Sequence, residues 1–297
     1  MSEAPATVSP TAADTVADAH AQPLSDRITV IRPVSSAPFI DFRELWRFRE
    51  LAGVLAWRDF RVRYRQTAIG IAWVVLQPLI TTIVFTIIFG KFADFPSDDL
   101  PYPVFTYSGL LLWTYFASSL TRSAMSLVAN AALVTKVYFP RVLLPAASVV
   151  SPVIDLVFAS SVLALLMLYF NVPPEPTVLL APVFVVMAAI VSLGVGLWLA
   201  GVNVRYRDVP YVIPFLIQTW MFLSPVVYSP TDLPEHWQWI YNLNPMNGTI
   251  IGFRWAILGS TPPGLGQLAM SLGIGLVLLA GGLTFFRRWE PRFADTI

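Results

Sequence analysis

Few side chains in this sequence can do chemistry, and most that can are arginines gathered in one place. Arg58, Arg61, Arg63 and Arg65 fall within about two helical turns, with Asp59 among them. Such a cluster does not enter hydrocarbon. It holds a chain at a membrane surface or offers positive charge to a partner. Two further groups sit where charge is costly. Asp155 lies deep in an apolar run, and Arg122 lies late in another, close enough to its polar end to snorkel. Intramembrane charges are functional candidates by default. Asp155 is expected to cap or hydrogen-bond within a bundle, reaching Arg122, or else to face a transport path.

The chemistry that is missing narrows the function. There is no cysteine, so disulfides, thiol catalysis and Cys-based metal sites are excluded. The histidines are His20 and His236, far apart, and no metal site is expected. The Gly90-Lys91 pair is followed by Phe92, which is not a phosphate-binding loop. No pair of acid and base residues suggests catalysis. The chain is therefore expected to be no enzyme, to carry no catalytic residue and to hold no cofactor. If transport is powered, ATP and Mg belong to a partner subunit.

The elements that must position these groups are helices in a membrane. Apolar residues make up 56% of the chain and charged ones 12%, with a formal net charge of +1. That balance fits a polytopic all-α membrane protein and gives no bulk attraction to nucleic acid. Residues 1–40, rich in Ala, Pro, Ser, Thr and Asp, read as a disordered cytoplasmic tail. Residues 41–68 read as an interfacial amphipathic helix, with Leu45, Phe48, Ala52 and Leu55 at spacings of three and four. Residues 69–286 form the membrane domain, and 287–297 a basic cytoplasmic tail.

Six spans are predicted: Ile69–Gly90, Val104–Val128, Val142–Phe170, Val178–Val202, Tyr211–Tyr228 and Leu265–Phe286. Pro78, Pro145, Pro152, Pro214 and Pro225 interrupt them. Gly194, Gly196, Ala200 and Gly201 give the fourth a small-residue face for close packing. Basic residues favour one side: Arg58 to Arg65, Lys136, Arg141, Arg205, Arg207, Arg287, Arg288 and Arg292, against Lys91 and Arg254 on the other. Both termini are therefore expected in the cytoplasm.

Between the fifth and sixth spans, residues 229–263 are apolar yet interrupted by prolines and glycine. Stretches such as His236–Leu243 and Met246–Leu258 are too short to cross, and read as external re-entrant or interfacial half-helices. Trp237, Trp239, Tyr241 and Trp255 suit either a belt at the headgroups or a gate over a translocation path.

Four stretches carry a resemblance: WRDFRVRYRQTAIGIAWVVLQPL, VTKVYFPRVLLP, YNLNPMNGTIIGFRWAILG and FRRWEPRFADTI. In this order they resemble the permease subunits of ABC exporters for bacterial cell-surface polysaccharides, of the O-antigen, capsule and teichoic-acid type, within the type-2 ABC exporter permeases. The resemblance covers roughly Phe42 to Ile297. It implies a homodimer in the bacterial inner membrane, joined to two ATPase subunits, drawing a lipid-linked polymer from the cytoplasm through a channel between the permeases. It places ATPase contacts at Arg58, Asp59, Arg61, Arg63, Arg65, Lys136, Tyr138 and Arg141. It places the external gate in Glu235–Leu243 and Met246–Leu258, with Trp237, Trp239, Tyr241, Asn244, Pro245, Phe253 and Arg254.

Other functions use the same features differently. Export of drugs or small lipids would need the same topology. A membrane enzyme on lipid-linked sugars would need converging acids, and Asp94, Asp98 and Asp99 are the one external cluster. A passive channel would need a ring of charge or a filter-like loop, which the sequence lacks.

Overall fold

A computed structural model describes residues 46–64, 70, 72–93, 95–229 and 235–296, with side chains for all of these but 235–237 and 294–296. The proposed tail 1–40 and Arg65 lie outside the described residues, as does the Trp237 side chain. Every regular element among the described residues is helical.

The helices in chain order are α1 (Arg49–Tyr64), α2 (Ala72–Phe85), α3 (Tyr102–Ala129), α4 (Ala131–Lys136), α5 (Leu143–Val150), α6 (Pro152–Tyr169), α7 (Ala181–Arg205), α8 (Val209–Phe222), α9 (Glu235–Asn242), α10 (Pro245–Leu258) and α11 (Leu265–Thr296). A π-helical stretch, Thr86–Phe92, extends α2, and a short 3-10 turn, Pro176–Leu180, leads into α7. Among the described residues four helical stretches are long and apolar enough to cross a membrane: Ala72–Phe92, Leu143–Tyr169, Pro176–Arg205 and Leu265–Phe293.

The bundle is built on α7, which packs along α3 on one side and α11 on the other. The α7–α11 seam is close because it lacks side chains. A Cβ on Gly194 would stand 2.7 Å from the Leu279 backbone nitrogen, so only glycine fits there. The small-residue face predicted for the fourth span thus serves packing within the chain. The inner helix α3 carries Thr106, Ser108, Ser119, Ser123 and Ser126 fully or nearly buried. Neighbouring helices cover it, so polar side chains are tolerated where they find carbonyls. The Tyr107 hydroxyl donates to the Ala159 carbonyl at 3.0 Å and the Tyr115 hydroxyl to that of Val149 at 3.3 Å, tying α3 to α6 and α5.

At one end the core changes character. Leu55 and Ala56 of α1 join Val134, Phe139, Leu143, Ala147, Phe286 and Phe293 in a second apolar cluster. The face of α1 expected to lie on the membrane surface is thus covered by the protein's own α5. Its opposite face leaves Val54, Trp57 and Val62 exposed, with Trp46 in the turn before it.

Pro152 breaks the third predicted span only slightly. The Ser151 N–H still donates to the Ala147 carbonyl at 3.0 Å, so α5 and α6 run on as one rod with a joint. The fifth differs more. α8 stops at Phe222, where Tyr228 had been expected, and residues 223–229 turn back. Pro225 has no N–H to continue the helix; the Ser224 N–H donates to the Met221 carbonyl at 3.1 Å and its hydroxyl to the Trp220 carbonyl at 2.9 Å.

Candidate functional site

Two polar constellations stand out, one at each end of the bundle. The first joins α1 to the rod α5–α6. Asp155 lies in the first turn of α6, where the helix N-terminus favours a carboxylate. The Arg63 Nη1 donates to Asp155 Oδ2, and the Tyr64 hydroxyl donates to Asp155 Oδ1 at 2.8 Å. Arg63 Nη2 also donates to the Ser151 hydroxyl at 3.2 Å. Burial pulls the Arg63 guanidinium below its ordinary value, against the raising effect of Tyr64 and Asp59.

These groups line a cavity of about 270 Å³ between α1, α2, α3 and α6, shared with Arg122 and Trp73. Asp155 does hydrogen-bond within the bundle, as expected, but not to Arg122. Its partners come from the helix before the first span, because the end of α1 lies closer to the start of α6. The Arg122 Nε is buried without an acceptor among the described residues.

The residues proposed to meet an ATPase separate into two groups. Arg63 faces inward, as above. Arg58 donates to Asp59 Oδ1 at 2.9 Å and to Asn130 Oδ1 at 2.5 Å, clamping α1 to the end of α3. Arg141 donates from its backbone N–H to Glu290 Oε1 at 3.1 Å and from Nη1 to the Glu290 carbonyl, tying the loop after α4 to α11. By contrast Arg61, Lys136 and Tyr138 are exposed. Trp57, with Arg61 over its ring at 5.8 Å, shares the open face of α1 with Val54 and Val62. The spacing from Val54 to Trp57 to Arg61 is itself helical and is the signal in the sequence for this face.

The second constellation gathers the predicted gate. α9 and α10 form almost where the sequence placed them. Asn244 begins α10 by accepting the Met246 N–H at 3.0 Å on Oδ1, with Pro245 in the first turn. The same Oδ1 accepts the Trp220 indole N–H at 2.8 Å, and Nδ2 donates to the Leu223 carbonyl at 3.1 Å and the Ser224 hydroxyl at 2.9 Å. One amide therefore caps α10 and closes the end of α8.

Arg254 is 1% exposed, a burial that a count of charges by membrane side does not address. Its Nη2 donates to the carbonyls of Pro225 at 2.9 Å and Val226 at 3.1 Å, and its guanidinium lies 3.6 Å from the Phe105 ring centroid. Burial pulls its pKa down to about 10, so it stays charged at neutral pH. Phe253 and Pro245 are buried too, whereas Trp239 is 63% exposed. Burial also holds the Tyr241 phenol above its ordinary range. Of the acids Asp94, Asp98 and Asp99, Asp98 accepts the Ser229 hydroxyl on Oδ1 at 2.7 Å, and Asp94 lies outside the described residues.

The predicted gate and the predicted ATPase-contact collar of α1 and the loop after α4 occupy opposite ends of one helical frame, and comparison with known proteins gives that frame a family. The ABC-2 type transporter pattern matches residues 50–258, from the second residue of α1 to the last of α10. The chain belongs to the ABC-2 type transporter family. Among similar members, the O-antigen export system permease protein RfbA of Myxococcus xanthus is 27% identical over 258 residues, covering 86% of this chain and 98% of that protein. RfbA of Klebsiella pneumoniae is 26% identical over 249 residues, covering 84% and 95%. The polysialic acid transport protein KpsM of Escherichia coli is 26% identical over 245 residues, covering 78% and 91%. The ABC-2 match takes in both constellations, so collar and gate alike fall inside the family's own domain.

Proposed function

We propose that the chain is the permease subunit of an ABC exporter that moves a lipid-linked polysaccharide out of the cytoplasm. The observation that carries this is near-complete coverage of export permeases for O-antigen and polysialic acid within one family. ATP and Mg are used by a separate ATPase subunit, present in two copies, and the permease acts as a homodimer in the bacterial inner membrane. The chain crosses six times, with both termini cytoplasmic. Two spans join the four apolar ones: α3, 28 residues and about 42 Å long, and the shorter apolar α8.

The collar receives the power stroke. Trp57, Arg61, Lys136 and Tyr138 offer an exposed aromatic and basic surface to the ATPase. Arg58, Arg63 and Arg141 carry the push inward, because each ties a contact element to a span, and Asp59 holds Arg58 in place. Arg65 belongs to the same cluster. At the far end α9 and α10 form the gate, with the exposed Trp239 on its surface and the Trp237 position beside it.

Deleting the coding sequence is expected to abolish surface polymer and to leave lipid-linked polymer inside the cell. The purified chain is expected to hydrolyse no ATP until the ATPase subunit is added. Surface polymer that persists, or hydrolysis by the chain alone, overturns the proposal.

A further inference from the structure

The cavity between α1, α2, α3 and α6 is a charged chamber to which export as described above assigns no ligand. Two guanidinium groups, Arg63 and Arg122, line it against one carboxylate, Asp155. The described lining thus has an excess of positive charge. Arg63 pairs with Asp155 through Nη1, although its Nε too is buried without an acceptor among the described residues. Arg122 has no carboxylate within ion-pair distance among the described residues, and its Nε is buried without an acceptor there. A guanidinium in a low-dielectric wall calls for an anion, and its planar fork suits the oxygens of a phosphate.

The rest of the lining says what kind of phosphate. Pro78, Leu111 and Leu156 add apolar wall, Gln77, Thr114 and Ser118 add uncharged polar groups, and Trp73 is half exposed. A chamber that joins guanidinium groups to apolar wall suits a headgroup with its chain. Depth agrees. Arg122 lies two turns before the end of α3 at Ala129, about 10 Å along the axis. A headgroup layer is about 5–7 Å thick, and an arginine stem spans the difference.

We propose that this cavity binds the phosphate headgroup of a lipid, with Arg122 as the principal donor. Arg63 is the second donor, and Asp155 holds affinity down by keeping Arg63 engaged. The proposal rests on placing this end of the bundle at the cytoplasmic surface. Two sources share the chemistry: a phospholipid of the inner leaflet, and the phosphate ester of a lipid-linked substrate.

The test is native mass spectrometry of the full chain in non-ionic detergent, titrated with phosphatidylglycerol and with diacylglycerol of the same acyl chains. The wild type is expected to prefer phosphatidylglycerol. Arg122→Gln is expected to reduce that affinity about tenfold and to leave diacylglycerol binding unchanged. Asp155→Asn is expected to raise it about tenfold, because Arg63 is released; a merely structural Asp155 would give a loss. Arg49→Gln removes the same charge from an exposed position on α1 and is expected to change nothing. If Arg122→Gln does not fold, Arg122→Lys, which keeps the charge without the fork, is expected to fall between wild type and no preference.

Lipid carried through purification from native membranes separates the sources. A phospholipid mass identifies the bilayer, and a mass that sheds sugars on fragmentation identifies the substrate. Equal binding of the two titrants, an unchanged Arg122→Gln, or weaker binding by Asp155→Asn overturns the proposal. None of these readouts needs export or ATP. Failed export with intact headgroup binding therefore counts against the permease function alone.

Discussion

Arg254 holds the Val226 carbonyl at 3.1 Å from inside the protein, so the gate's one cation is bound to the broken end of α8. Pro225 and the turn after it free carbonyls that no helix satisfies, and a buried carbonyl without a donor costs several kcal/mol in an apolar setting. Arg254 collects two of them with one nitrogen. α10 and the end of α8 are thus bound together through Arg254.

That relationship gives the first prediction. Arg254→Leu is expected to destabilise the chain by about 3–5 kcal/mol, because it orphans both carbonyls in the core. Arg254→Lys restores the charge but not the fork, and is expected to recover part of the loss. Thermal unfolding of the detergent-solubilised protein reads both. A Leu variant that melts with the wild type would show that the turn finds other donors.

Asn244 separates capping from clamping. Asn244→Asp keeps an oxygen for the Met246 N–H but loses the donor to Leu223 and Ser224. Asn244→Ala loses both. The Asp variant is therefore expected to keep α10 but loosen α8, shown by faster hydrogen exchange at residues 220–226 alone. The Ala variant is expected to cost about 1–2 kcal/mol and to speed exchange in both segments.

The Arg63–Asp155 pair is expected to be strongly coupled. Arg63→Gln and Asp155→Asn each leave a buried partner unmatched, whereas the double change removes both charges. A double-mutant cycle on thermal stability is expected to return a coupling of about 1–3 kcal/mol. Additive effects would mean that the pair does not anchor α1 to the membrane helices.

Much of this arrangement was legible in the sequence. α10 begins one residue from its expected start because Asn244-Pro245 is a cap followed by a first-turn proline. The apolar runs located the long helices because hydrocarbon thickness fixes their length. Partners were not legible. Asp155 meets Arg63 rather than Arg122, and Arg254 is buried against the Pro225 and Val226 carbonyls, because charge counting assigns a side to a residue but not its partners. The end of α8 was misplaced for a related reason. Hydropathy continues through Val226 and Val227, which are buried, so an apolar turn reads the same as an apolar helix.

The collar makes the last prediction, and exposure decides it. Trp57, Arg61 and Tyr138 have open side chains, so replacing them is expected to leave melting unchanged. If they meet the ATPase, Trp57→Ala, Arg61→Glu and Tyr138→Ala each weaken its co-purification, with the charge reversal losing about tenfold or more. Arg141→Ala differs, because it removes the guanidinium bond to the Glu290 carbonyl on α11 and leaves only the backbone one. It is expected to lower the melting temperature as well as export. An aromatic anchor beside a cation is what an interface hot spot requires, and Trp57 with Arg61 supplies both on one helical face. Full ATPase binding by Trp57→Ala together with Arg61→Glu would remove α1 from the docking surface and leave its arginines a purely topological role.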